Sequence, residues 1–570
     1  MASILKTFWL SIACASYIFP SSAHAKYDNI ESPRVGIVNG TYRGVYNSQY
    51  KQDYFLGMPY AQPPVGDLRL RVPQSLNSSW ADTRNATDYG PICLGTGQTG
   101  EVSEDCLTIN VIRPTGVERG DGLAVAVWIY GGGFVSGGSA MQQYNLSFIV
   151  DQSVQMGTPM IAVSLNYRLH CWGFMWSKEI YDEGSANLGF RDQRLALYWI
   201  QENIAAFGGE PTKVTIWGES AGAHSVGVQL TAYGGRDDSL FRAAISQSGA
   251  PSTYDRYQTA EDWQPFYDAV VEATNCSTPS GDSLACLRTI ETNALLSIFQ
   301  NDSIIPTHTL TGTTGPQFVS VIDDDFIMES GTKQLREGNF VKVPYMIGAN
   351  ADEGTSFSTK GAVNTTADFL KLLASWGLDN STVTSLAALY PDIPEIGIPK
   401  TMVGRPPAGY GEQYKRAAAY GGDINIHAPR RLANQIWAEY NVTSYSYLFD
   451  VVTTVAGPNV GVPHGAEVPF VFNNLLGTGY DNSTNVFLNG PETFKQLAAT
   501  MSRMWVSFVT RLDPNYSGTA NAYWPEYAAS YAQNLIFDVN MTSQVYSQLD
   551  TYRAEAIAYI GATLDTAFGH

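Results

Sequence analysis

Short apolar runs alternate with amphipathic helical patterns along most of the chain. Helical periodicity is clearest in residues 190–207, with Leu195 and Trp199 on an apolar face and charges on the other, in the segment after Ser220, and in residues 491–509. Strands alternating with helices predict an α/β fold with a large, mostly parallel central sheet covered by helices on both faces. The seven runs with the length and composition of buried strands are residues 123–130, 159–167, 213–217, 243–246, 343–349, 446–452 and 535–539.

The chain carries no internal repeat, low-complexity tract or long Pro/Ser linker. We therefore expect residues 26–570 to form one domain with sizeable loop insertions. In open α/β sheets, ligands bind outside the carboxyl ends of the strands. Functional residues should accordingly follow directly after the apolar runs, an expectation that we call the strand-end rule.

The first 25 residues have the features of a secretory signal peptide. Lys6 precedes the apolar stretch FWLSIACASYIF, and the following SSAHA fits cleavage after Ala25. The apolar stretch is shorter than the roughly 20 residues that span a bilayer. No later segment is long and apolar enough to span, and the last residues do not resemble a lipid-anchor signal. The sequence thus predicts a secreted, extracellular protein with no stable membrane anchor.

The candidate N-glycosylation sites and the cysteines agree with secretion. Without the signal peptide five cysteines are left, and close pairing of 93 with 106 and of 276 with 286 is the simplest arrangement, with Cys171 as a buried inert thiol. Twelve Asn-x-Ser/Thr tripeptides suit a glycosylated surface. These candidates are Asn39, Asn77, Asn85, Asn145, Asn275, Asn301, Asn364, Asn380, Asn441, Asn482, Asn515 and Asn540.

The charge balance is strongly acidic. The formal net charge is −19, and loss of Lys6 with the signal peptide makes it −20. Such a balance argues against nucleic acid or anionic membranes as partners. No Cys/His spacing fits a zinc site, so we expect no metal and no cofactor. Nothing in the sequence indicates the oligomeric state.

Applied to residues 213–217, the strand-end rule points to a serine. The run KVTIW leads into Gly218-Glu219-Ser220-Ala221-Gly222, and a helical pattern follows. A strand, a sharp turn and a helix are the context of a nucleophile elbow, in which small flanking residues let the turn close and lift the hydroxyl out of the sheet. A simple tight turn is the structural alternative, but this pentad is unique in the chain.

A serine nucleophile needs a base and an orienting acid. His464, in GVPHGAEVPF, follows the run at 446–452 after a Gly/Pro-rich stretch. His224, one helical turn beyond Ser220, is expected to pack or to meet solvent, and His427, before a proline and a helix, suits a structural position. Asp352 and Glu353 directly follow the run at 343–349. Either acid gives the chain order Ser, Asp/Glu, His of α/β-hydrolases, and their spacing does not choose between them.

Acyl transfer also requires donors for the oxyanion. Gly131-Gly132-Gly133 ends the run at 123–130, where bare amides can approach a substrate oxygen. A flexible turn is the structural alternative. A phosphate-binding loop is disfavoured because no Gly-Lys-Ser/Thr follows.

Together, GESAG, YGGGF, SEDCLTIN, GANADEG and GVPHGAEVPFVF resemble the type-B carboxylesterase/lipase family, and several further motifs are most similar to its fungal lipase branch. The similarity runs from about residue 33 to about residue 540. It implies Ser220 as nucleophile, Glu353 as acid and His464 as base. The oxyanion donors would be the amides of Gly132, Gly133 and Ala221, with supporting roles for Ser248 and Glu219.

The resemblance also implies disulfides Cys93–Cys106 and Cys276–Cys286, and a buried ion pair between Glu104 and Arg168. Fungal lipases of this branch carry a long mobile lid in the first disulfide loop, but only 12 residues separate Cys93 from Cys106 here. Loop 94–105 also lacks the tryptophan with which cholinesterases hold a quaternary ammonium.

The expectation is a secreted serine esterase acting on a small-molecule or lipid ester. A lipase or sterol esterase acting on long acyl chains is the second interpretation. A catalytically inactive, cholinesterase-like binding protein is a minor third, because the catalytic positions are all present. General ester scavenging and tailoring of one secondary metabolite would share the same chemistry.

Overall fold

A computed structural model of the chain describes residues 32–252, 257–277, 281–306, 317–519, 523–539 and 543–569. The expected signal peptide, residues 1–25, and the candidate acceptor Asn540 lie outside these ranges.

An 11-stranded sheet forms the centre of the molecule. From one edge to the other its order is β11-β10-β9-β8-β7-β6-β4-β5-β3-β2-β1. The strands are β1 (Val45–Asn47), β2 (Gln52–Pro59), β3 (Thr108–Pro114), β4 (Leu123–Ile129), β5 (Met160–Leu165), β6 (Gly209–Glu219), β7 (Ala243–Gln247), β8 (Tyr345–Asn350), β9 (Ser444–Phe449), β10 (Gln533–Phe537) and β11 (Val545–Leu549).

The seven strands β4 to β10 pair in parallel, and the strands beyond them are antiparallel. The parallel strands are the seven apolar runs of the sequence, and the α/β fold class is confirmed. Their side chains are buried on both faces, as β4 and β5 illustrate, which is why they form continuous apolar runs. Two small sheets accompany this one, formed by Arg34–Gly36, Thr41–Arg43 and Thr83–Asn85, and by Ile92–Cys93 and Val102–Ser103.

Seventeen α-helices are present in the described part of the chain. They are α1 (Ser147–Gln155), α2 (His170–Phe174), α3 (Lys178–Glu183), α4 (Leu188–Asn203), α5 (Ala221–Gly235), α6 (Ala260–Ala273), α7 (Ser283–Thr289), α8 (Thr292–Phe299), α9 (Gly331–Glu337), α10 (Gly354–Phe357), α11 (Thr366–Ala374), α12 (Asn380–Leu389), α13 (Tyr414–Gly422), α14 (Ala428–Glu439), α15 (Val468–Val471), α16 (Glu492–Arg511) and α17 (Ala554–Thr563). Short 3₁₀ turns (Gly66–Leu68, Gln142–Tyr144, Ile204–Phe207, Pro514–Tyr516) and π turns (Asp423–His427, Leu564–Phe568) complete the elements.

Helix α4 is buried more completely than its sequence predicts. Asp192 and Arg194, expected on a solvent face, are buried. Asp192 pairs with Arg168 at 2.7 Å, and Arg194 pairs with Asp238 at 2.6 Å. Burial of these charges is tolerated because each has an opposite charge and further hydrogen bonds.

A second apolar cluster lies apart from the main core. It joins buried side chains of α11 to α13, including Phe369, Leu386 and Tyr420, to Ile557 and Ile560 of α17. The loop insertions between β8 and β9 thus have an apolar core of their own.

Both expected disulfides are present. Cys93 bonds Cys106, and Cys276 bonds Cys286. Cys171 is a free, buried thiol whose pKa is raised well above its usual value by burial. No helix among the described residues combines the length and apolar character needed to cross a bilayer.

The expected ion pair between Glu104 and Arg168 is wrong. Glu104 binds Arg69 instead, with its two oxygens 2.6 and 2.7 Å from Nε and Nη2. Arg168 forms the equivalent fork with Asp192. Both guanidiniums are therefore paired bidentately, but with partners from other segments.

Eight of the acceptor asparagines are exposed: Asn77, Asn85, Asn275, Asn301, Asn364, Asn380, Asn441 and Asn482. Asn39, Asn145 and Asn515 are half-buried. The side-chain amide of Asn515 donates to Asp513 and to the Trp524 carbonyl, so both of its N–H groups are engaged.

Candidate active site

Ser220 occupies a sharp turn between β6 and α5. Its backbone angles are φ 58° and ψ −125°, a conformation that L-residues rarely adopt. Glycines flank the turn because the neighbouring backbone is too close for a side chain. A Cβ at Gly218 would lie 2.4 Å from the Gly222 carbonyl carbon, and a Cβ at Gly222 would lie 2.0 Å from the Ile129 carbonyl oxygen.

The imidazole of His464 bridges the serine and a carboxylate. Its Nε2 lies 2.7 Å from Ser220 Oγ, and its Nδ1 lies 2.6 Å from Glu353 Oε2. These three side chains are remote in the sequence, but they follow β6, β9 and β8, whose carboxyl ends lie at one edge of the sheet. This position relative to the strands is the one that the strand-end rule predicts.

Glu353 is fully buried, and its second oxygen is also engaged. Oε1 accepts hydrogen bonds from the Ser248 hydroxyl at 2.6 Å and from the Asn350 amide at 2.7 Å. Ser248 directly follows β7, between the strands that carry Ser220 and Glu353. The carboxylate plane is thereby fixed toward His464.

Asp352, the alternative acid, does not contact the imidazole ring in this way. Its Oδ2 accepts a hydrogen bond from the backbone amide of Val462 at 2.9 Å. Asp352 is buried, and burial raises its pKa to about 6. The two adjacent acids therefore point to different parts of the same loop.

The glycine loop after β4 packs directly against the elbow. A Cβ at Gly131 would lie 2.8 Å from Ser220 Cβ. Gly132 and Gly133 have φ values of 110° and 62°, which glycine adopts without strain. Among the described residues, neither of these two amides donates to a backbone carbonyl. The amide of Ala221 lies at the first position of α5.

The first disulfide loop is bonded to the glycine loop. Gln98 Nε2 donates to the carbonyls of Cys93 and Gly137, and Gln98 Oε1 accepts from the Gly137 amide at 3.1 Å. The Thr96 amide adds a bond of 2.7 Å to the Val135 carbonyl. Loop 94–105 thus braces the loop that carries Gly132 and Gly133.

Two further acids lie beside the imidazole. Glu219 Oε1 is 3.5 Å from His464 Nε2. Glu467, which the sequence analysis missed, is fully buried and accepts hydrogen bonds from Gln247 at 3.0 Å and from Asn350 at 2.6 Å. The sequence did carry a signal for Glu467, because this acid begins the otherwise apolar stretch EVPFVF three residues after His464. An acid among apolar residues is expected to be buried only with a polar partner.

Burial and the charges of the neighbouring carboxylates shift the pKa values of Glu219, Glu467 and His464. Burial raises the pKa of Glu219 to about 8, with Glu467 and Glu353 adding to the effect. Burial also raises the pKa of Glu467. For His464, burial acts to lower the pKa, but the carboxylates of Glu353 and Glu219 outweigh it and raise the value to about 9.

The other described histidines lie outside this cluster. His224 is buried on α5 with Nε2 3.1 Å from Ser320 Oγ, and His427 is buried in the π turn before α14. Among the described residues, no group of His, Cys, Asp and Glu side chains has the arrangement of a metal site.

The sheet order and the elbow define a protein of the α/β-hydrolase class, and comparison with known sequences specifies it further. The model of the carboxylesterase family matches residues 28–557, and the chain belongs to that family. It is a carboxylic ester hydrolase.

Fungal enzymes are similar to this chain over nearly their whole length. Lipase 4 of Diutina rugosa is 35% identical, over 88% of this chain and 90% of the relative. Secreted lipase 1 of Botryotinia fuckeliana is 34% identical, over 95% and 93%. The crystal structure of Aspergillus niger EstA matches with a TM-score of 0.82 at 28% identity, covering 95% of this chain and 99% of that one.

Proposed function

We propose that this chain is a secreted serine esterase in which Ser220, His464 and Glu353 form the catalytic triad. The observation that carries the proposal is the position of the imidazole, with Nε2 2.7 Å from Ser220 Oγ and Nδ1 2.6 Å from Glu353 Oε2. A hydroxyl, an imidazole and a carboxylate within hydrogen-bonding distance in this order can activate the hydroxyl as a nucleophile.

In the first step, Ser220 Oγ attacks the ester carbonyl carbon while His464 Nε2 accepts the hydroxyl proton. Glu353 accepts a hydrogen bond from Nδ1–H, which keeps the lone pair on Nε2 and stabilises the imidazolium that forms. The C–O bond to the alcohol then breaks as His464 returns the proton to the leaving oxygen. The product of this step is an acyl-enzyme on Ser220.

The amides of Gly132, Gly133 and Ala221 hold the negative oxygen of the tetrahedral intermediate. Support comes from the close packing of the glycine loop against Ser220 and from the location of Ala221 at a helix N-terminus. Loss of one donor of this type costs roughly 10²–10³-fold in kcat.

Water resolves the acyl-enzyme by the same route. His464 accepts a proton from the water molecule as its oxygen attacks the acyl carbon, and then returns that proton to Ser220 Oγ when the acid leaves. No external redox or metal chemistry is required for either step.

Replacement of the nucleophile tests the triad. Ser220→Ala should lower kcat for p-nitrophenyl butyrate by roughly 10⁶-fold, because the triad acts as a unit. Ser225→Ala, on the same helix, removes a buried hydroxyl that bonds the Ala221 carbonyl and serves as a matched control. Retention of most activity by Ser220→Ala would overturn the assignment.

Covalent labelling separates an esterase from an inactive binding protein of similar fold. Diethyl p-nitrophenyl phosphate should add one diethylphosphoryl group, located on the peptide containing Ser220, and abolish hydrolysis. A protein without an activated serine would remain unlabelled. His464→Ala should also prevent labelling, because Oγ then lacks its base.

Lipase action is the second candidate, since relatives at 33–35% identity bear the name lipase. The short, braced loop 94–105 favours the esterase instead, because it cannot move as a large flap. A series of p-nitrophenyl esters from acetate to palmitate, with and without emulsified triglyceride, distinguishes the two. A sharp rise in rate once droplets form would establish the lipase.

Secretion and glycosylation belong to the same proposal. Three fungal relatives are named as secreted lipases, and eight acceptor asparagines are exposed. Expression of the full chain in a fungal host should place the enzyme in the medium with its N-terminus at Lys26. Peptide mapping should find glycans on exposed acceptors and none on Asn515.

A further inference from the structure

A cavity of about 370 Å³ lies in the second apolar cluster. It is bounded by the end of α12, the segment that follows, α13 and the start of α17. None of its lining residues belongs to the proposed triad or to the oxyanion loop. Its volume falls within the range of small-molecule sites in proteins, about 300–1,000 Å³.

One wall of this cavity carries a buried guanidinium with only neutral partners. Arg416 is 6% exposed. It donates to the carbonyls of Tyr390 and Ala387 and to Gln413 Oε1. Within the described part of the chain, no carboxylate lies within ion-pair distance of it; Asp392 acts on its charge only through space and binds Arg405. A buried charge that no counter-ion contacts directly is costly, so an anion in the cavity would be favoured.

Arg553 also lines the cavity, but its charge is already balanced. Two of its nitrogens bind the buried carboxylate of Asp423, at 2.6 and 2.5 Å. Glu555 lies at the rim and is exposed, where water and salt screen its charge. Of the two arginines that line the cavity, Arg416 is therefore the one without an ion pair among the described residues.

The remaining walls are apolar. Leu389, Pro391, Ala419 and Ala556 line the interior, and Ile396, 57% exposed, stands at the mouth. An occupant must therefore join an anionic group to a hydrocarbon segment. An inorganic anion alone would leave this surface unfilled.

We propose that this cavity binds an amphiphilic monocarboxylate, with the carboxylate on Arg416 and the acyl chain along the apolar wall. A guanidinium has five N–H donors in a planar fork that matches a carboxylate. Three of these donors of Arg416 bond protein acceptors, which leaves one on each terminal nitrogen. The site does not depend on the chemistry proposed for Ser220, although the acid product of ester hydrolysis belongs to the same chemical class.

Calorimetric titration of the full chain tests the proposal with decanoate, decanol, decyl sulfate and acetate, each below its micellar concentration. Decanoate should bind at least ~10-fold more tightly than decanol or acetate, because a hydrogen bond to a charged group outweighs a neutral one. Tighter binding of decyl sulfate than of decanoate would assign the site to a sulfate or phosphate headgroup instead. Equal affinities for decanoate and decanol would overturn the proposal.

Variants locate the binding. Ala388 is exposed at the cavity wall, so Ala388→Trp should fill the cavity and abolish decanoate binding without altering hydrolysis of p-nitrophenyl butyrate. Thr384→Trp, on the same helix but outside the cavity, is the matched control. Decanoate binding that survives Ala388→Trp would place the ligand elsewhere.

Charge variants test the role of Arg416. Arg416→Met keeps the apolar stem and should weaken decanoate at least ~10-fold while leaving decanol unchanged. Glu555→Gln should tighten decanoate about two- to threefold by removing a repulsive rim charge, whereas Glu202→Gln on α4 should have no effect. If Arg416→Met lost affinity for decanoate and decanol equally, the cavity of that variant would have collapsed. The binding data for Ala388→Trp and Glu555→Gln would then decide whether decanoate binds in this cavity.

Discussion

Asp352 accepts a hydrogen bond from the amide of Val462, two residues before His464, and the Asp352 amide donates to the Val462 carbonyl in return at 3.0 Å. The next residue, Glu353, bonds the His464 ring itself. Two consecutive acids at the end of β8 thus hold the loop that carries His464. Asp352 binds the backbone of this loop at Val462, and Glu353 binds the imidazole of His464. Glycine is required at 461 because a Cβ there would lie 2.1 Å from Asp352 Oδ2.

Removal of the Asp352 side chain should therefore lower activity without removing a member of the proposed triad. In Asp352→Ala the Val462 amide loses its acceptor, at a cost of about 1–3 kcal/mol in the free energy of unfolding. We expect kcat to fall by roughly 10–100-fold, because the imidazole is less precisely placed. Asp352→Asn keeps an oxygen acceptor and should retain most of the activity. Equal kcat values for the Ala variant and the native chain would contradict this role.

The pH dependence of stability offers a separate test. The pKa of Asp352 is raised from 3.8 to about 6, chiefly by burial, so the folded chain binds this proton more tightly than the unfolded chain. This group therefore weakens stability as the pH rises from about 4 to about 6, by roughly 2–3 kcal/mol in total.

Asp352→Asn carries no titratable group there and should lack this loss. Urea unfolding of both proteins at pH 4 and pH 7 should show the variant gaining stability relative to the native chain at the higher pH. A constant difference between the two proteins would contradict the raised pKa.

Activity should rise with pH through the alkaline range. In the proposed mechanism only neutral His464 accepts the serine proton, and its pKa is raised to about 9, against the effect of burial, by Glu353 and Glu219. Glu353 makes the larger contribution to this raised pKa and Glu219 the next, and the ionisation of Glu219 is coupled to that of its neighbours. The rising limb of kcat/KM reports a value that belongs to the coupled pair.

Glu219→Gln removes one carboxylate from beside His464 Nε2 and should move the rising limb of the kcat/KM profile to lower pH. The kcat/KM of this variant at pH 7 should then be a larger fraction of the plateau value that the same variant reaches at high pH. Glu202→Gln, at a distant exposed position, should leave the profile unchanged. An unaltered midpoint in Glu219→Gln would show that this carboxyl does not act on the imidazole.

The bonds between Gln98 and the glycine loop predict an effect on kcat. Gln98→Ala removes three hydrogen bonds that link Cys93, Gln98 and Gly137. The amides of Gly132 and Gly133 would then be less precisely placed, and kcat should fall about 10-fold with little change in KM. Gln74→Ala, an exposed glutamine outside this loop, is the control. A change confined to KM would indicate a substrate contact instead.

The sequence predicted the parallel strands because burial on both faces makes each one a continuous apolar run. The antiparallel strands escaped notice. β3 contains Asn110 and Arg113, and β11 exposes Ser547, Gln548 and Leu549, so neither forms a continuous apolar run. Their place in the sheet depends on pairing with distant segments.

At the candidate site, the strand-end rule located the serine, the histidine and the pair of acids. It could not separate Asp352 from Glu353, because adjacent residues leave the same strand end and only their orientation differs. The partner of Glu104 was also beyond the sequence: Arg69 lies in an irregular segment, and no periodicity relates the two positions. Contacts of this kind are fixed by tertiary packing.

The backbone at Ser220 has a further consequence. With φ at 58° and ψ at −125°, this position suits glycine better than any L-residue. Ser220→Gly should unfold at a higher temperature than Ser220→Ala, although both lack the hydroxyl. The native chain therefore keeps an oxygen at a strained position of the turn at some expense in thermal resistance, and the variant that relieves this strain, Ser220→Gly, is expected to be inactive.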